Sequence, residues 1–449
     1  MISLGCPRTL VDSEVYLGAL QQAGFTVQDT VEHSDVVIIN TCSFIQESIK
    51  ESIDTVLQAV QLKKQGKIKA VIVAGCLVQR FKQDLIKELP EVDGFVGVDG
   101  FGDIQTVVQR ALRGERPQSV RMRPQTMSWE HSTTRIPLTP SHYAYLKISE
   151  GCLKGCSFCV IPKIKGPLRS LSIETLVDEA KQLVEARGVK ELIVVGQDTS
   201  DYGVDLYQRP RIAELLRALG QIKGLHWIRL LYCHPRGIST ELIETIRDEP
   251  KICKYLDMAI EHADDVMLQR MNRGITQAQL RETIGRLREA IPEIALRTSV
   301  IVGFPGETEA AFERLLGFLQ EIQFERLGAF PYSHEEGSAS FRFPDQVPDA
   351  IREERFARLM EAQQAIAAVV NARCIGRTYD VLIDEVDPAD PQQFIGRTRA
   401  DCPEVDGSIF VKSPQPLTVG SFVPVRVTDS YEYDLVGTVV DSHALVGSP

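Results

Sequence analysis

The sequence lacks any hydrophobic run long enough to cross a membrane. Its longest apolar stretch, residues 70–78, is far shorter than the roughly 20 residues that a membrane-spanning helix needs. The start also lacks the charged and then apolar segment of a secretory signal. These absences argue against a membrane-spanning helix, and they predict a cytoplasmic protein with no membrane partner.

The chain is also short of positive charge. It carries 50 Lys and Arg against 61 Asp and Glu, which gives a formal net charge of −11. Proteins that grip a phosphate backbone usually present a basic patch. The overall charge therefore argues against direct binding of nucleic acid.

Cysteine, by contrast, is plentiful. Ten cysteines in a chain without a secretory signal indicate metal or redox chemistry in a reducing compartment, rather than a disulfide framework. The length of 449 residues and the 43% hydrophobic composition are ordinary for a globular protein. They suggest about two to four domains.

Three of the cysteines, Cys152, Cys156 and Cys159, form a Cys-x3-Cys-x2-Cys run directly after the apolar segment 143–149. An iron–sulfur cubane normally takes four thiolates, so three of them leave one iron free for another ligand. A tetrahedral zinc site would need a fourth Cys or His nearby, and none occurs between Cys159 and residue 180. The run therefore favours a cluster with an open iron. Zinc and three inert buried thiols are the alternatives.

Residues 1–125 alternate between short apolar runs and amphipathic helical patterns, which predicts a doubly wound parallel sheet. The predicted elements, beginning with a strand and alternating strand with helix, are residues 2–4, 12–23, 35–40, 45–62, 70–73, 78–89, 94–98 and 104–112. Cys6, Cys42 and Cys76 close three of the strands. Because strand ends in such a sheet face one crevice, we expect these thiols to converge on a second cluster. Unconnected buried thiols are the alternative.

Residues 126–140 lack periodicity and carry prolines, which predicts a linker. Residues 141–371 then repeat six βα units, with strands predicted at 143–149, 190–196, 227–232, 255–260, 296–302 and 325–330. Six such units predict a parallel, partly closed barrel whose site lies at the carboxyl ends of its strands. The cysteine run follows the first strand, at that end.

Residues 372–449 change to short β-rich runs after a helix predicted at 349–375. The runs are residues 378–384, 395–397, 408–412, 422–427 and 435–440. Five short strands with turn residues between them predict a small OB-like β-barrel. The predicted fold is therefore α/β, with a parallel sheet domain, a partial (βα)6 barrel and a terminal β-barrel.

The cysteine run, its place after the first strand and the polar loops after later strands resemble the radical S-adenosylmethionine (SAM) enzymes. The three-part arrangement resembles the methylthiotransferases among them, whose last part is called the TRAM domain. This resemblance covers essentially the whole chain. It implies two 4Fe-4S clusters, the first held by Cys152, Cys156 and Cys159, and the second held by Cys6, Cys42 and Cys76.

The resemblance implies that SAM serves twice. One molecule would be cleaved at the barrel cluster to a 5′-deoxyadenosyl radical, with electrons from an external donor. Another would methylate a sulfur at the N-terminal cluster. The candidate cofactor-binding residues are Phe158, Gln197, Asp198, Arg297 and Gly303. Loops of this kind also occur merely as turns and helix caps.

Two branches of this family act on different substrates. One modifies an adenosine of transfer RNA, and the other modifies the β-carbon of an aspartate in small-subunit ribosomal protein twelve. Residues 3–14, 159–170 and 230–235 resemble the ribosomal branch. The sequence departs from the family at residues 258–262, where Glu261 replaces the usual Gln, and this weakens a cofactor role for Glu261.

The charge of the last section supports the ribosomal branch. From Ala372 onward, six basic residues stand against twelve acidic ones, a net charge of −6. A module that binds RNA should be basic, whereas an acidic one attracts a basic protein. The competing explanation is that the acidic surface only aids solubility. We therefore expect a basic ribosomal protein, free or on the ribosome, as the substrate, with a transfer-RNA adenosine methylthiotransferase as the alternative.

A radical is needed for this chemistry because the β-carbon of aspartate carries no acidic proton. Lys163, Lys165 and Arg169, which follow the cysteine run, are candidates to hold the target carboxylate, but a solvated basic face is the interpretation we favour. A non-catalytic RNA- or ribosome-binding protein would have no use for an open iron. An electron carrier with two clusters would bind no SAM.

Four further cysteines have no ligand spacing and are predicted to be free thiols: Cys233, Cys253, Cys374 and Cys402. Only five residues precede Cys6, so the first predicted strand is short. A start upstream of Met1 is an alternative explanation for this short strand.

Overall fold

The structure of the protein, a computed structural model, describes residues 1–121 and 135–440. In these residues a five-stranded sheet, a six-stranded sheet and a closed five-stranded barrel follow one another along the chain. The order confirms the predicted α/β class with two parallel sheets and a terminal β-barrel.

The N-terminal sheet is parallel, and its strand order follows the chain. Its elements are β1 (Ile2–Ser3), α1 (Pro7–Gln22), β2 (Val36–Thr41), α2 (Gln46–Lys64), β3 (Ala70–Gly75), α3 (Cys76–Glu88), β4 (Gly94–Val96), α4 (Ile104–Leu112) and β5 (Gln118–Ser119). One face packs against α1 and α4, and the other packs against α2 and α3. Because both of their faces are covered, the central strands β2 and β3 are apolar except for Asn40 and Thr41 at the end of β2.

Helix α1 begins at Pro7, earlier than the start predicted at residue 12. Proline in the first helical turn loses no hydrogen bond, and its fixed φ suits the helix. Asp12 has the residue type of a helix cap, but its carboxylate pairs with Lys147 of the central section. Asp12 therefore lies inside the helix, where its side chain takes part in a tertiary ion pair.

The central section is an open sheet of six parallel strands, in the order β6-β9-β10-β11-β12-β13. In chain order its elements are β6 (Tyr143–Lys147), β7 (Ser149–Glu150), α5 (Ile161–Lys165), β8 (Arg169–Ser170), α6 (Ile173–Arg187), β9 (Glu191–Val195), α7 (Val204–Tyr207), α8 (Ile212–Gly220), β10 (Trp227–Cys233), α9 (Thr240–Asp248), β11 (Ile252–Met258), α10 (Asp265–Arg270), α11 (Gln277–Ala290), β12 (Ala295–Val302), α12 (Glu309–Ile322), β13 (Arg326–Pro331) and α13 (Asp349–Ala372). All six predicted strands are present.

Two elements beside the cysteine run were not predicted. Helix α5 follows the run, and β7 pairs with β8 in an antiparallel ladder that joins Glu150 to Arg169. Cys152 N also donates a hydrogen bond to Gly166 O at 3.3 Å. These contacts fold the chain back on itself, so that both ends of the cysteine loop are held together.

The C-terminal section is a closed barrel with the strand order β14-β15-β16-β18-β17. Its strands are β14 (Thr378–Val386), β15 (Gln393–Arg397), β16 (Ile409–Lys412), β17 (Phe422–Ser430) and β18 (Leu435–Val439). Val381, Ile383, Ile409, Val425 and Leu435 are among the residues that fill its interior. Closure leaves the sheet without a free edge.

The predicted linker, residues 126–140, lies partly outside the described residues, which resume at Arg135. The Arg135 side chain is only 6% exposed and pairs with Glu14 of α1 and Glu179 of α6. Ile136 N donates a hydrogen bond to Glu14 O at 3.1 Å. This end of the segment is therefore anchored between α1 and the central section. The domain boundaries stay predictions.

The longest described helix, α13, has 24 residues and mixes charged with apolar side chains along its length. In the part of the chain that the structure describes, no helix combines the length and the apolar character that a membrane span requires.

The C-terminal barrel covers the amino ends of the central strands. Glu191, the first residue of β9, is fully buried and pairs at 2.7 Å with Arg229 and at 2.7 Å with Arg397 of the C-terminal barrel. Arg326, the first residue of β13, pairs with Asp401 at 2.6 Å. The carboxyl ends of the same strands are left to the N-terminal sheet.

We expect Glu191→Gln to destabilise the protein by about 3–5 kcal/mol, because it leaves two buried guanidinium groups without their shared carboxylate. Urea unfolding followed by circular dichroism measures the change. Glu241→Gln is the matched control, because Glu241 pairs with Arg217 at the surface, where both side chains are about half exposed. The Glu241→Gln substitution should lower the free energy of unfolding by about 1 kcal/mol or less. If both substitutions lowered the free energy of unfolding equally, the buried ion pairs would not stabilise the protein more than the surface pair does.

Candidate active site

The three N-terminal cysteines lie at the carboxyl ends of three neighbouring strands. Cys6 follows β1 and precedes α1, Cys42 follows β2, and Cys76 follows β3 as the first residue of α3. Ser52 holds the turn after β2, because Cys42 N donates to its Oγ at 3.2 Å and Oγ donates to Cys42 O at 2.9 Å. The structure therefore brings the predicted N-terminal ligands to one edge of the sheet.

Gly5 lets the chain before Cys6 approach Cys42 closely. Its φ is +94°, and a Cβ at this position would lie 2.7 Å from Cys42 Cβ and 3.1 Å from Cys42 Sγ. Burial, reinforced by the neighbouring Cys42 and Cys6 and opposed by Lys165, raises the pKa of Cys76 to about 12. The close approach at Gly5 places the chain before Cys6 beside Cys42, and Cys76 lies at the end of the next strand.

Arg8 supports the Cys6 thiolate. Burial would raise the pKa of Cys6, but the charge of Arg8 and its Nε hydrogen bond to Sγ at 3.4 Å lower it to about 7. Arg8 also reaches into the central section, where Nη1 donates to Gly196 O at 2.7 Å. Its guanidinium carbon lies 4.7 Å from the centre of the Tyr232 ring. One side chain therefore ties an N-terminal ligand to the ends of β9 and β10.

The central cysteines share one loop after β7. Burial raises the pKa of Cys152 to about 11 and that of Cys159 to about 12. Arg273, which follows α10, donates from Nη1 to Cys156 Sγ at 3.1 Å. The loop begins at Gly151, whose φ is +80° and whose Cβ, if present, would lie 2.0 Å from Pro167 O.

Both sets of thiols fit an iron–sulfur cluster. Buried thiols with raised pKa values need a positive partner to ionise, and iron supplies it. Arg8 and Arg273 each donate a hydrogen bond to one sulfur, an interaction that tunes the potential of such clusters. Among the described residues, no three His, Cys, Asp or Glu side chains lie close enough to hold a single metal ion. A cubane instead binds each of its cysteine ligands to a separate iron atom.

Gln197 and Asp198 lie at the end of β9, beside the central cysteine loop. Gln197 Nε2 donates to Glu150, and its Oε1 is buried without a hydrogen-bond partner in the described residues. Asp198 Oδ1 accepts from Ser200 N at 3.0 Å, while Oδ2 lies 3.5 Å from Lys154 Nζ. Burial raises the pKa of Asp198. Both residues therefore offer buried acceptor atoms near the cysteine loop.

Phe158 and Gly303 are placed differently. Phe158 packs against an apolar cluster that includes Met267, Met271 and Phe304, so the loop is backed by hydrophobic side chains. Gly303, which follows β12, has φ +71° and donates from N to Glu307 Oε2 at 3.0 Å. Phe158 thus anchors the loop, whereas Gly303 forms the turn that leads into α12.

Arg297 lies away from the strand ends that carry the other candidates. It is near the start of β12, where Nη1 meets Asp257 at 3.1 Å and Nε meets Asp406 of the C-terminal barrel at 3.2 Å. Its cofactor role stays a prediction without support from this geometry. Glu261 has φ +68° and a pKa raised by burial, and its backbone pairs with Ser299 O at 2.9 Å.

A buried ion-pair tetrad joins α1, which follows Cys6, to the segments on either side of the central cysteine loop. Lys147 pairs with Asp12 and, at 2.9 Å, with Glu150. Lys165 lies 3.3 Å from Asp12 and 3.2 Å from Glu150. All four residues are at most 6% exposed. Burial opposes ionisation of Glu150, but the two lysines lower its pKa well below the usual range.

The tetrad corrects the interpretation of the basic residues after the cysteine run as a solvated face. Lys165 is 4% exposed, and its ammonium group is occupied by the tetrad. Arg169 is partly buried, with Nη2 3.8 Å from Asp99. Only Lys163 is exposed. Local sequence could not reveal this, because Asp12 lies far away in the chain.

Sequence reasoning missed Arg8, Arg273, Lys147 and His234. Lys147 alone left a signal, since a single lysine inside the apolar strand β6 indicates a buried, paired charge. His234 caps a short turn after β10 and is 6% exposed. Burial, followed by the charge of Arg273, lowers its pKa to about 2, so the imidazole is neutral.

Three family models match the chain. Residues 146–319 match the radical SAM superfamily, residues 1–97 match the uncharacterized protein family UPF0004, and residues 375–440 match the TRAM domain. Together they span the three sections of the fold.

Several curated proteins are similar over almost their whole length. One from Geobacter sulfurreducens is 44% identical over 98% of each chain. One from Lachnoclostridium phytofermentans is 46% identical over 97% of this chain and 98% of its own, and one from Desulforamulus reducens is 43% identical over the same shares. Each of the three is named ribosomal protein uS12 methylthiotransferase RimO.

Among solved structures, the radical SAM methyltransferase TsrM from Kitasatospora setae superposes with a TM-score of 0.54 at 14% identity. The match covers 72% of this chain and 70% of that one. The cobalamin-dependent SAM radical enzyme OxsB superposes with a TM-score of 0.50 at 13% identity, over 79% and 53% of the two chains. At these identities the likeness shows the fold alone.

We expect the cluster-free wild-type protein to become less stable as the pH falls from about 7 to about 5. The His234→Gln variant should lose less stability over the same range. An unfolded histidine takes up a proton near about pH 6.5, whereas folded His234 does not, because its pKa is about 2. The unfolded state therefore binds more protons in this range, and acid favours unfolding. Melting temperatures across the range measure the effect. The control is His226→Gln, because His226 is exposed, and this variant should lose as much stability as the wild type. If the melting temperature changed with pH equally in all three proteins, the expectation would be contradicted.

Proposed function

The chain belongs to the RimO family of ribosomal protein uS12 methylthiotransferases, and on this basis we propose that it transfers a methylthio group to the β-carbon of an aspartate in uS12. The observation that carries this proposal is the similarity to these enzymes over almost the entire chain, through all three sections. A ribosomal substrate places the reaction in the cytoplasm.

We propose two 4Fe-4S clusters and two uses of SAM. Cys152, Cys156 and Cys159 would hold the cluster that the radical SAM family implies, and the three N-terminal cysteines would hold the second. When bound, these groups supply the methylthio group and the 5′-deoxyadenosyl radical that removes a hydrogen atom from the β-carbon. The electrons for cleavage come from an external donor.

The residues around the central cysteine loop suit the binding of SAM. Gln197 Oε1 and Asp198 Oδ2 are buried acceptors that fit the amino or hydroxyl groups of such a ligand. Leaving Gln197 Oε1 unpaired would cost free energy, because buried polar atoms are normally paired. The neutral His234 adds no positive charge to Arg273 and Lys154 nearby.

Exclusion of water is the second task of the protein. A carbon radical reacts with whatever reaches it, so a radical site must be enclosed. Phe158 seals one side of the loop against Met267 and Phe304. On the other side, Cys76 packs with Val160 of the loop and Ile164 of α5, which brings the N-terminal sheet over the same opening.

The surface of the C-terminal barrel favours a basic partner, but less strongly than its composition suggests. Asp384, Asp401 and Asp406 neutralise arginines inside the protein. Among the described residues from Ala372 onward, the exposed acids are Asp380, Glu385, Asp390, Glu404, Asp429 and Glu432, and the exposed bases are Arg373, Arg377, Lys412 and Arg426. Acidic groups remain in excess, which suits a basic protein better than RNA.

We expect the anaerobically reconstituted, reduced enzyme to add one methylthio group to uS12 and none to transfer RNA. The measurement offers SAM with each macromolecule in turn and weighs both by mass spectrometry, with fragmentation to locate the modified aspartate. Addition to transfer RNA alone would overturn the proposal in favour of the RNA-modifying branch.

We expect Cys76→Ala and Cys156→Ala to separate the two clusters. Each should retain about half of the wild-type iron, since each removes one ligand from a different cubane. Cys76→Ala should still cleave SAM but should form no methylthio product, whereas Cys156→Ala should do neither.

Cys374→Ala is the control for both variants, because Cys374 lies after α13, where it packs against the core of the C-terminal barrel, far along the chain from either set of cysteines. It should keep full iron and full activity. Cleavage of SAM by Cys156→Ala, or its loss in Cys76→Ala alone, would reverse the assignment of the two clusters.

A further inference from the structure

The target aspartate brings a carboxylate into the active site, and a cation should meet it there. This inference rests on the proposed function. A carboxylate taken out of water is costly unless a charge or several hydrogen bonds replace the water. Cations near the two sets of cysteines include Arg8, Lys147, Lys154, Lys165 and Arg273.

Four of these cations are already engaged. Lys147 and Lys165 are neutralised by the tetrad carboxylates. Lys154 lies 2.7 Å from Asp201 and 3.5 Å from Asp198. Arg273 donates to Cys156 Sγ and to a backbone carbonyl, and its remaining Nε is buried. The three lysines are therefore paired with carboxylates, and each nitrogen of the Arg273 guanidinium is either bound or buried.

Arg8 is different. Nε donates to Cys6 Sγ at 3.4 Å and Nη1 donates to Gly196 O at 2.7 Å, but Nη2 meets no acceptor among the described residues. The side chain is partly exposed, so this nitrogen is not sealed inside the protein. Glu150 and Cys6 act on the guanidinium through space, yet neither is bound to Nη2. Arg8 Nη2 is therefore an unused hydrogen-bond donor beside Cys6.

The central section is shaped to hold Arg8 in place. Tyr232, the platform 4.7 Å beneath the guanidinium, has φ +61°, which is uncommon for a large side chain. The ladder between β10 and β11 shifts register between Leu230 and Cys233, and such irregularities redirect side chains. Tyr232 N donates to Asp257 Oδ2 at 3.1 Å, which supports this backbone. Fixing the guanidinium before the substrate arrives reduces the entropy lost on binding.

We propose that Arg8 binds the carboxylate of the target aspartate through Nη2, as the residue that selects this side chain. The bound carboxylate lies beside Cys6, so its β-carbon is close to the N-terminal ligands where the methylthio group is held. Arg8 thereby takes the role that the sequence suggested for Lys163, Lys165 or Arg169.

The test measures binding without turnover. The oxidised holoenzyme is mixed with SAM and no reductant, and labelled uS12 is titrated by fluorescence anisotropy, both as the natural protein and with its target aspartate changed to asparagine. The enzymes compared are the wild type, Arg8→Gln, Arg8→Lys and Arg113→Gln. Arg113 is an exposed arginine after α4 and serves as the matched control.

The wild type and Arg113→Gln should bind the aspartate form about ten- to hundredfold more tightly than the asparagine form, as expected for a hydrogen bond between charged groups. Arg8→Gln should bind both forms equally. Arg8→Lys, which keeps the charge but not the planar donors, should retain part of the preference. Iron content shows that each variant holds both clusters.

Two outcomes would overturn the proposal. The first is equal affinity of the wild-type enzyme for the aspartate and asparagine forms of uS12. This measurement does not depend on whether any enzyme variant folds. The second is an Arg8→Gln enzyme that binds both forms more weakly but keeps the preference, which would make Arg8 merely structural. Failure of the wild type to bind or modify uS12 at all would instead overturn the proposed function.

Discussion

The ion pairs among Asp12, Lys147, Glu150 and Lys165 are the constraint on which the active site depends. Removing four charges from water costs several kcal/mol for each, and only close mutual pairing offsets that cost. The partners come from α1, β6, β7 and α5, so the tetrad forms only when the N-terminal sheet docks on the central section in one arrangement. Since Glu150 nearly adjoins Cys152 and α1 follows Cys6 directly, this docking also sets the distance between the two groups of thiols.

The two outer sections contact opposite ends of the central strands. The C-terminal barrel is bound to the amino ends through Glu191 and Arg397. The N-terminal sheet reaches the carboxyl ends through Arg8 and through Arg80, which pairs with the buried Glu335 at 2.8 Å. On the proposed function, a protein substrate presents its aspartate between the N-terminal sheet and the cysteine loop. Enclosure on this scale suits radical chemistry, in which water must be kept from the reacting atoms.

The elements that local sequence predicted well are the strands. Runs such as residues 36–39 and Ala70–Gly75 are apolar because both of their faces are covered, and that pattern is visible without any tertiary information. The burial of Lys165 was predicted wrongly because its partners do not lie nearby in the sequence. Asp12 and Lys165 find their partners across the interface, and nothing in the neighbouring residues records a partner so distant in the chain.

The sequence by itself determined which residue types are available as the proposed cluster ligands. Six cysteines placed after strands predict where the thiols lie, since a strand end and the residue after it are joined covalently, and the Cys-x3-Cys-x2-Cys spacing predicts an open iron. Only the tertiary structure decided which charges remain available. The difference between Lys165 and Arg8 is not one of residue type or local pattern. Lys165 meets two carboxylates from other elements, whereas Arg8 meets a sulfur, a carbonyl and an aromatic ring and keeps one donor unused among the described residues.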